Sequence, residues 1–232
     1  MKRFYKQAGV EPCDDGWRVT LDGRGIRTAG GQPQVVPTQA LADALAAEWA
    51  AQGEEIDTGA FVLRDMADYA SDVVAKDRAG VIASLLPYAE TDTLCYRGEE
   101  GEALRRRQDM AWEPLLAAAE QRYDIHFERI GGVIHRPQPA GTLARLEQVL
   151  AAHGDYTLAA LQTLASLAAS LIVGLAALEP GADAEALWDA ANLEEDWQAE
   201  LWGQDAEAEA RRQRRLAAFA AAMRFAALAR GA

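Results

Sequence analysis

The chain has 232 residues, half of them hydrophobic and a quarter charged, a globular profile that excludes a disordered or low-complexity polypeptide. Its formal charge is -13, from 23 Lys and Arg against 36 Asp and Glu, so nucleic acid, which needs a basic field, is not an expected partner. The two cysteines, Cys13 and Cys95, lie far apart in no short-spaced motif, which excludes a disulfide scaffold or a thiol redox site and suits a reducing compartment.

Residues 1–36 read as strands and turns. Phe4-Tyr5 opens a short strand, and Trp17 to Leu21 alternates large and polar side chains as a half-buried strand does. Asp22-Gly23 turns the chain so that Ile26-Arg27-Thr28 returns as the second arm of a hairpin, and Gly30-Gly31 turns it again before Gln34-Val35-Val36. At Pro37-Thr38 the period changes. Thr38 suits a helix cap, and Leu41, Leu45 and Trp49 recur at helical spacing up to Gly53. A second helix is predicted over Arg64 to Lys76 with Met66, Tyr69 and Val73 on one stripe, which makes residues 1–80 a small α+β domain with an antiparallel sheet.

Residues 81–232 read as a larger all-helical domain. Its predicted helices cover Val81 to Ala89, Glu99 to Tyr123 with a kink or restart at Pro114, Leu143 to Ala152, Thr157 to Leu178, Ala182 to Gln198 and Ala206 to Arg230. Extended pieces are expected between Phe127 and Ile134. In the last helix Glu207 and Arg211 are spaced for an i,i+4 ion pair. Tyr156 to Leu178 holds 23 residues without a charge, long enough to cross a bilayer, but Gln162, Thr163, Ser166 and Ser170 interrupt it. It is read as a buried central helix, and the protein as one that is not integral to a membrane. The amino terminus has no apolar stretch after its basic residues, so no targeting segment is expected and the location is read as cytoplasmic, or the mitochondrial matrix for a mature organellar form.

Enzyme signatures are mostly absent: there is no phosphate-binding Gly-rich loop and no GxSxG elbow, and His126, His135 and His153 fall in no metal-ligand spacing. No cofactor or metal is therefore expected. Cys95, between Leu94 and Tyr96, reads as a packed residue. Glu194-Glu195-Asp196 is no paired-acid catalytic site, because consecutive helical residues point 100° apart.

Charge distribution carries more. Between Arg145 and Arg211 lie 65 residues without Lys or Arg but with 13 Asp or Glu, 11 of them within Glu179 to Glu209. Such a segment serves either as a solvated face or as a field that steers a basic partner. Trp188, Trp197 and Trp202, interspersed among the acids, support an interaction surface in which some indoles face inward.

Four segments together resemble the assembly chaperones of the ATP synthase catalytic head, the type that holds the isolated alpha subunit. They are Gly16-Trp17-x-Val19-x-Leu21-Asp22-Gly23-Arg24 followed by Glu48-Trp49-x-x-Gln52 and Ile56; Tyr88-x-x-Thr91-Asp92-x-x-Cys95-Tyr96-Arg97; Gln108-x-x-x-Trp112-x-Pro114-Leu115; and Glu195-x-x-Gln198-x-x-x-Trp202-Gly203-x-Asp205-x-Glu207-Ala208-x-x-Arg211. The chain departs from the family at Thr58 to Leu63, where a Pro-containing stretch is common. The resemblance implies a non-enzymatic chaperone, monomeric when free, that binds the free alpha subunit before it meets beta. It implies an important acidic residue in the helical domain, matched here by Glu195 or its neighbour Glu194. Partner contact is accordingly expected from Glu194, Glu195, Asp196, Gln198 and Trp202, and structural roles from Trp17, Trp49, Asp92, Tyr96 and Arg97, with Arg97 holding the two domains in register. The alternative is a small-molecule enzyme whose cleft at the domain junction uses Asp92, Arg97 and a histidine.

Overall fold

Two-residue turns organise the amino-terminal strands of the computed structural model, which describes residues 1–132, 135–203 and 205–231. Strands β1 (Ala8–Cys13) and β2 (Gly16–Leu21) pair antiparallel with Cys13 opposite Gly16, and β2 turns through Asp22-Gly23 into β3 (Arg24–Gly25). Asp22 and Gly23 have φ of 49° and 76°, the pair of positive values that matches a hairpin turn to the twist of its strands. Strand β4 (Val35–Val36) pairs with Trp17 and Arg18 on the far side of β2 from β1. A Cβ at Gly16 would lie 2.4 Å from the Val36 carbonyl oxygen, so glycine is what lets β4 close on β2.

Phe4-Tyr5 is not a strand. The sheet begins later, at β1, whose Gly9 and Pro12 break the alternation that marks a strand in sequence. Pro12 is tolerated because, among the described residues, β1 is an edge strand paired with β2 alone. Tyr5 is instead a buried anchor whose hydroxyl donates to the Trp49 carbonyl at 2.6 Å. Trp17, half-buried, lies between Pro12 and Val36 in the middle of the sheet.

Helix α1 (Gln39–Ala50) starts where the Thr38 hydroxyl accepts the Leu41 amide at 3.1 Å, and it buries Leu41, Leu45 and Trp49. Helix α2 (Val62–Tyr69) starts where the Glu48 carboxylate accepts the amides of Leu63 and Arg64 at 2.7 and 2.9 Å. Between them, Asp57 caps a single turn at Thr58–Ala60, and Phe61 beyond it packs on Trp49 with ring centroids 4.4 Å apart. After Tyr69 the helix widens into a π turn, Ala70–Val74. The extra residue rotates the buried face, so Val74 is enclosed and Val73, expected on the stripe, is 42% exposed.

The chain forms two compact units, but they are not consecutive segments split at residue 80. The first comprises residues 1–78 together with 154–160 and 221–232; the second comprises 79–153 and 161–220. Tyr156 explains part of the first grouping, since its hydroxyl donates to the Val35 carbonyl at 2.6 Å and its ring stacks on Phe225. Thr38 adds a hydrogen bond to the Leu228 carbonyl at 2.6 Å.

The second unit is helical. Its elements are α3 (Arg78–Leu85), α4 (Pro87–Glu90), α5 (Ala103–Tyr123), α6 (Ala140–Ala151), α7 (Asp155–Ala168), α8 (Leu171–Ala176), α9 (Ala184–Ala191), α10 (Leu193–Trp202) and α11 (Ala206–Arg230), with α3, α7 and α11 also giving residues to the first unit. Two short strands, β5 (Tyr96–Arg97) and β6 (Ile130–Gly131), pair in parallel. The extended stretch expected up to Ile134 is confined to β6 among the described residues, and 133–134 lie outside them. Helix α5 runs through Pro114 without a restart.

The helix expected over Thr157 to Leu178 is two helices. Ala169, at φ 48°, ends α7, and Ser170 caps α8 by accepting the Val173 amide at 3.0 Å. Thr93 closes the break from the other side, its amide and hydroxyl both donating to the Ala169 carbonyl at 3.2 and 2.9 Å. Asp92, wholly buried, accepts the amides of Leu94 and Ile172, each at 3.1 Å, and so ties the turn at 93–95 to the start of α8. Among the described residues no helix is long and apolar enough to cross a membrane.

Arg97 is bonded within the second unit, to the Leu94 carbonyl at 2.9 Å, to Asp109, and to Glu113 at 3.1 Å. Tyr96 is half-buried and shares a 2.8 Å hydrogen bond with His135 Nδ1.

Two outcomes follow for stability. Asp92→Asn turns a carboxamide N–H donor toward backbone amides that the carboxylate accepts, so the urea midpoint should fall by the equivalent of about 1–3 kcal/mol. Burial raises the Asp92 carboxyl to about 6. A folded-state value above the unfolded one gives stability that is fully present below the unfolded value and lost as pH rises through the folded one. The gap between wild type and Asp92→Asn should therefore widen as pH falls from about 7 to about 4. Leu164 and Leu171 are fully buried, and Leu164→Asp or Leu171→Asp should leave the chain unfolded by circular dichroism because an unpaired carboxylate has no solvent there.

Candidate functional site

Helices α9 and α10 were expected as one helix but are separated at Asn192, whose buried side-chain amide donates to the Trp188 carbonyl at 2.8 Å. The break lets α10 begin afresh with Glu194, Glu195 and Asp196 in its first turn, where carboxylates favour the positive end of the helix dipole. Leu193 is buried and anchors that end.

Two sides of α10 are occupied. Gln108 on α5 is fully buried; its Oε1 accepts the Gly98 amide at 2.8 Å and its Nε2 donates to Glu194 at 2.5 Å. Arg107, next to Gln108 on α5, grips Glu200 through two hydrogen bonds of 2.6 and 2.7 Å and lies 5.6 Å from the Trp197 ring centroid. From α11, Arg212 binds Asp196 at 2.9 Å and Asp189 of α9 at 2.6 Å. These arginines, and Arg122 on Glu179 at 2.7 Å, neutralise part of the cation-free segment from elsewhere in the chain. The basic cluster of α11 thus forms its ion pairs through Arg212 with α9 and α10 rather than through the expected Glu207–Arg211 pair.

What remains open is a single stripe. Glu195, Gln198 and Trp202 follow at spacings of three and four, all are exposed, and none has a partner among the described residues. Trp202 is 85% exposed and its neighbour Leu201 59%. Of the five expected contact residues, then, Glu194, itself exposed, and Asp196 are held by Gln108 and Arg212, while Glu195, Gln198 and Trp202 are exposed without a partner among the described residues. Trp188 is fully buried against Phe219, with centroids 5.7 Å apart, as the inward member of the tryptophan set.

Beside α10 a groove of about 880 Å³ runs between α5, α9, α10 and α11. Its floor holds Pro114, Leu115, Leu187 and Leu193, its edge holds Met110 at 73% exposure, and its rim holds the Arg107–Glu200 and Arg212–Asp189 pairs. Met110 is not among the contact residues expected from the sequence. Glu200 is held below the usual carboxylate range by the Arg107 hydrogen bonds, so this rim stays ionised at neutral pH.

The groups considered for enzymatic use are committed to the fold. Asp92 is surrounded by amides, Arg97 is buried in its ion pairs, and burial pushes the Cys95 thiol up, far from thiolate formation. His126 is exposed beside Glu120 and Glu128, and among the described residues no group of three His, Cys, Asp or Glu is placed to hold a metal ion.

Glu195→Lys should change stability by less than about 0.5 kcal/mol, whereas Arg212→Ala, which strips two carboxylates of their partner, should cost about 1 kcal/mol or more in a urea titration. Equal midpoints would mean that Arg212 does not fix α10.

A family model described as the ATP12 chaperone protein matches residues 2–120. The mitochondrial protein atp12 of Schizosaccharomyces pombe is 24% identical over 214 residues, covering 87% of this chain and 74% of its own. Among solved structures, Atp12 from Paracoccus denitrificans is 39% identical, with 98% of each chain covered and a TM-score of 0.92. The Atu1473 protein of Agrobacterium tumefaciens is 38% identical, with 97% of this chain and 85% of that one covered and the same TM-score of 0.92.

Proposed function

We infer the function from the premise that the chain belongs to the ATP12 chaperone family, the assembly chaperones of ATP synthase: this protein captures the free alpha subunit of the catalytic head and hands it on for assembly with beta. It acts without catalysis or cofactor, as a monomer, in the bacterial cytoplasm or the mitochondrial matrix. The observation that carries the reading is the outward stripe of Glu195, Gln198 and Trp202 on a helix pinned on its other sides.

An unassembled subunit exposes a face that is buried in the finished oligomer. Reversible cover for such a face needs an apolar anchor that loses water and a charged margin that sets orientation. Trp202 and Leu201 supply the first, and Glu195 the second. Because the backbone under them is held by Gln108, Arg107 and Arg212, little ordering is required on binding, so contact energy is not consumed in fixing the helix. Release follows from competition by the proper neighbouring subunit, which needs no nucleotide.

Titrating purified alpha subunit against wild type, Glu195→Lys and Trp202→Ala tests this. Trp202→Ala should weaken binding by about 2 kcal/mol, roughly thirtyfold, as loss of a central aromatic anchor does. Glu195→Lys should weaken it less, and added salt should narrow the difference between Glu195→Lys and wild type. Folded variants that bind as wild type does would remove the stripe from the site, and a wild-type protein that neither binds alpha subunit nor suppresses its aggregation would end the reading.

A further inference from the structure

We propose that the uncovered face of α5 is a seat for a helix, an amphipathic segment of the free alpha subunit with a basic end. The proposal rests on the capture of alpha subunit inferred for this chain and names the element captured. Between Arg107 and Arg122 that face presents Met110, Ala111, Pro114, Leu115, Ala118 and Gln121, none of them ionisable, while Gln108, Trp112, Leu116 and Ala119 are buried. Met110, Pro114 and Ala118 are exposed, so a part of the helix that meets water is apolar where charge is the rule. Arg107, Ala111, Pro114, Ala118 and Gln121 follow at spacings of four, three, four and three, the line along which one helix accepts another.

The shape of the surface selects a helix over a strand. The groove of about 880 Å³ occupies one end of this face and a hollow of about 300 Å³ the other, and Leu115 lines both. Ile172, Leu175 and Ala176 of α8 wall the hollow, with the Arg122–Glu179 pair at its rim. The lining residues of α5 run from Arg107 to Tyr123, about 24 Å at the rise of a helix, so a guest of about four turns matches them in length. All the walls are helices, whose backbone groups are spent within themselves. An extended segment finds no row of partners there, whereas a helix satisfies its own backbone and needs side-chain contact alone. Pro114 makes one exception: having no N–H, it leaves the Met110 carbonyl without the donor that position 114 ordinarily gives, and a Lys or Arg of the guest can supply one.

Charge sets the sign and the direction of the guest. At the end formed with α9, α10 and α11, four carboxylates, Asp189, Asp196, Glu200 and Glu209, line the groove against Arg107 and Arg212. At the α8 end Glu179 is matched by Arg122. Glu209 accepts from the neutral Gln213 amide at 2.7 Å and has no ion pair among the described residues, so its charge is open to a cation from outside. The basic end of the guest therefore lies against α10 and α11, on the helix that also carries Glu195 and Trp202. The same excess of acids turns away a fatty-acid carboxylate, the other ligand that an apolar hollow suits.

The first test measures fluorescence anisotropy with the full chain and a labelled, end-blocked peptide of about 16 residues, its leucines on one helical face and its lysines in the last turn. One control peptide carries glutamates in place of the lysines, and another has the same composition with its leucines scattered around the helix. The lysine peptide should bind with a dissociation constant below about 1 mM and about tenfold more tightly than either control. Met110→Lys with Ala118→Lys, both at exposed helical positions, should weaken that binding about tenfold, and Glu209→Gln should narrow the preference for lysine over glutamate. No binding, an equal response to the scattered peptide, unchanged affinity in the double variant, or an unchanged preference in Glu209→Gln would each overturn the proposal. The second test titrates purified alpha subunit, with circular dichroism confirming that each variant is folded. Capture by the double variant equal to wild type removes the α5 face and leaves the chaperone reading intact. A wild-type protein that binds the lysine peptide but not alpha subunit ends the chaperone reading and, with it, the source assigned to the guest helix.

Discussion

One buried amide sets the position of the candidate surface. Gln108 has no exposure to solvent, so both ends of its side chain must be satisfied inside the protein. Its oxygen takes the Gly98 amide and its nitrogen gives to Glu194, which fixes the segment after β5 and the first turn of α10 to the same point on α5. An amide can do this where an ionised group could not, because it donates and accepts at once without carrying a charge into the interior. Trp112, one turn further on and also fully buried, reinforces the link by donating its indole N–H to the Ala190 carbonyl at 2.7 Å.

The arginines extend the same arrangement outward. Arg97 is nearly enclosed, yet its guanidinium meets Asp109, Glu113, the Leu94 carbonyl and the face of Trp112, so its charge is answered on every side the structure describes. Glu113 is shared with Arg129, which also binds Glu120, and the three acids of α5 thereby become one ladder running from β5 to the loop before α6. Removing Asp109 or Glu113 from such a ladder strips a partner from Arg97, whose side chain is 1% exposed, and that buried charge is where the cost arises.

Periodicity made much of this fold legible. The Thr38 cap, the β2 strand, the Asp22-Gly23 turn and the span of α11 all rest on neighbours in sequence, where local propensity is written, although the strand returning from that turn is Arg24–Gly25 and not Ile26 to Thr28 as expected. What escaped depends on distant partners. At the break between α7 and α8 the local signal is the Ser170 cap; the end of α7 at Ala169 is held besides by Thr93 and Asp92, which lie 76 to 80 positions from their partners. The π turn after Tyr69 moves a buried face by one residue, and an apolar stripe counted at constant period cannot register it. At the candidate surface the five residues lie close together in sequence, but their division into bonded and unpartnered sets came from Gln108 and Arg212, far from them along the chain. The acids of 179–209 likewise looked unrelieved because their arginines come from α5 and α11.

Those remaining acids resolve a difficulty that the surface would otherwise pose. A tryptophan 85% exposed beside a leucine 59% exposed invites self-association, since two such patches meeting would lose apolar area to each other. Here Glu195 lies on the same stripe and Asp205 and Glu207 follow shortly after Trp202, so two copies meeting through this edge bring like charges together before the indoles make contact. The net charge of -13 adds repulsion at longer range. A partner with a basic margin meets the opposite field at the same edge, so one set of carboxylates both keeps the anchor available and decides what reaches it.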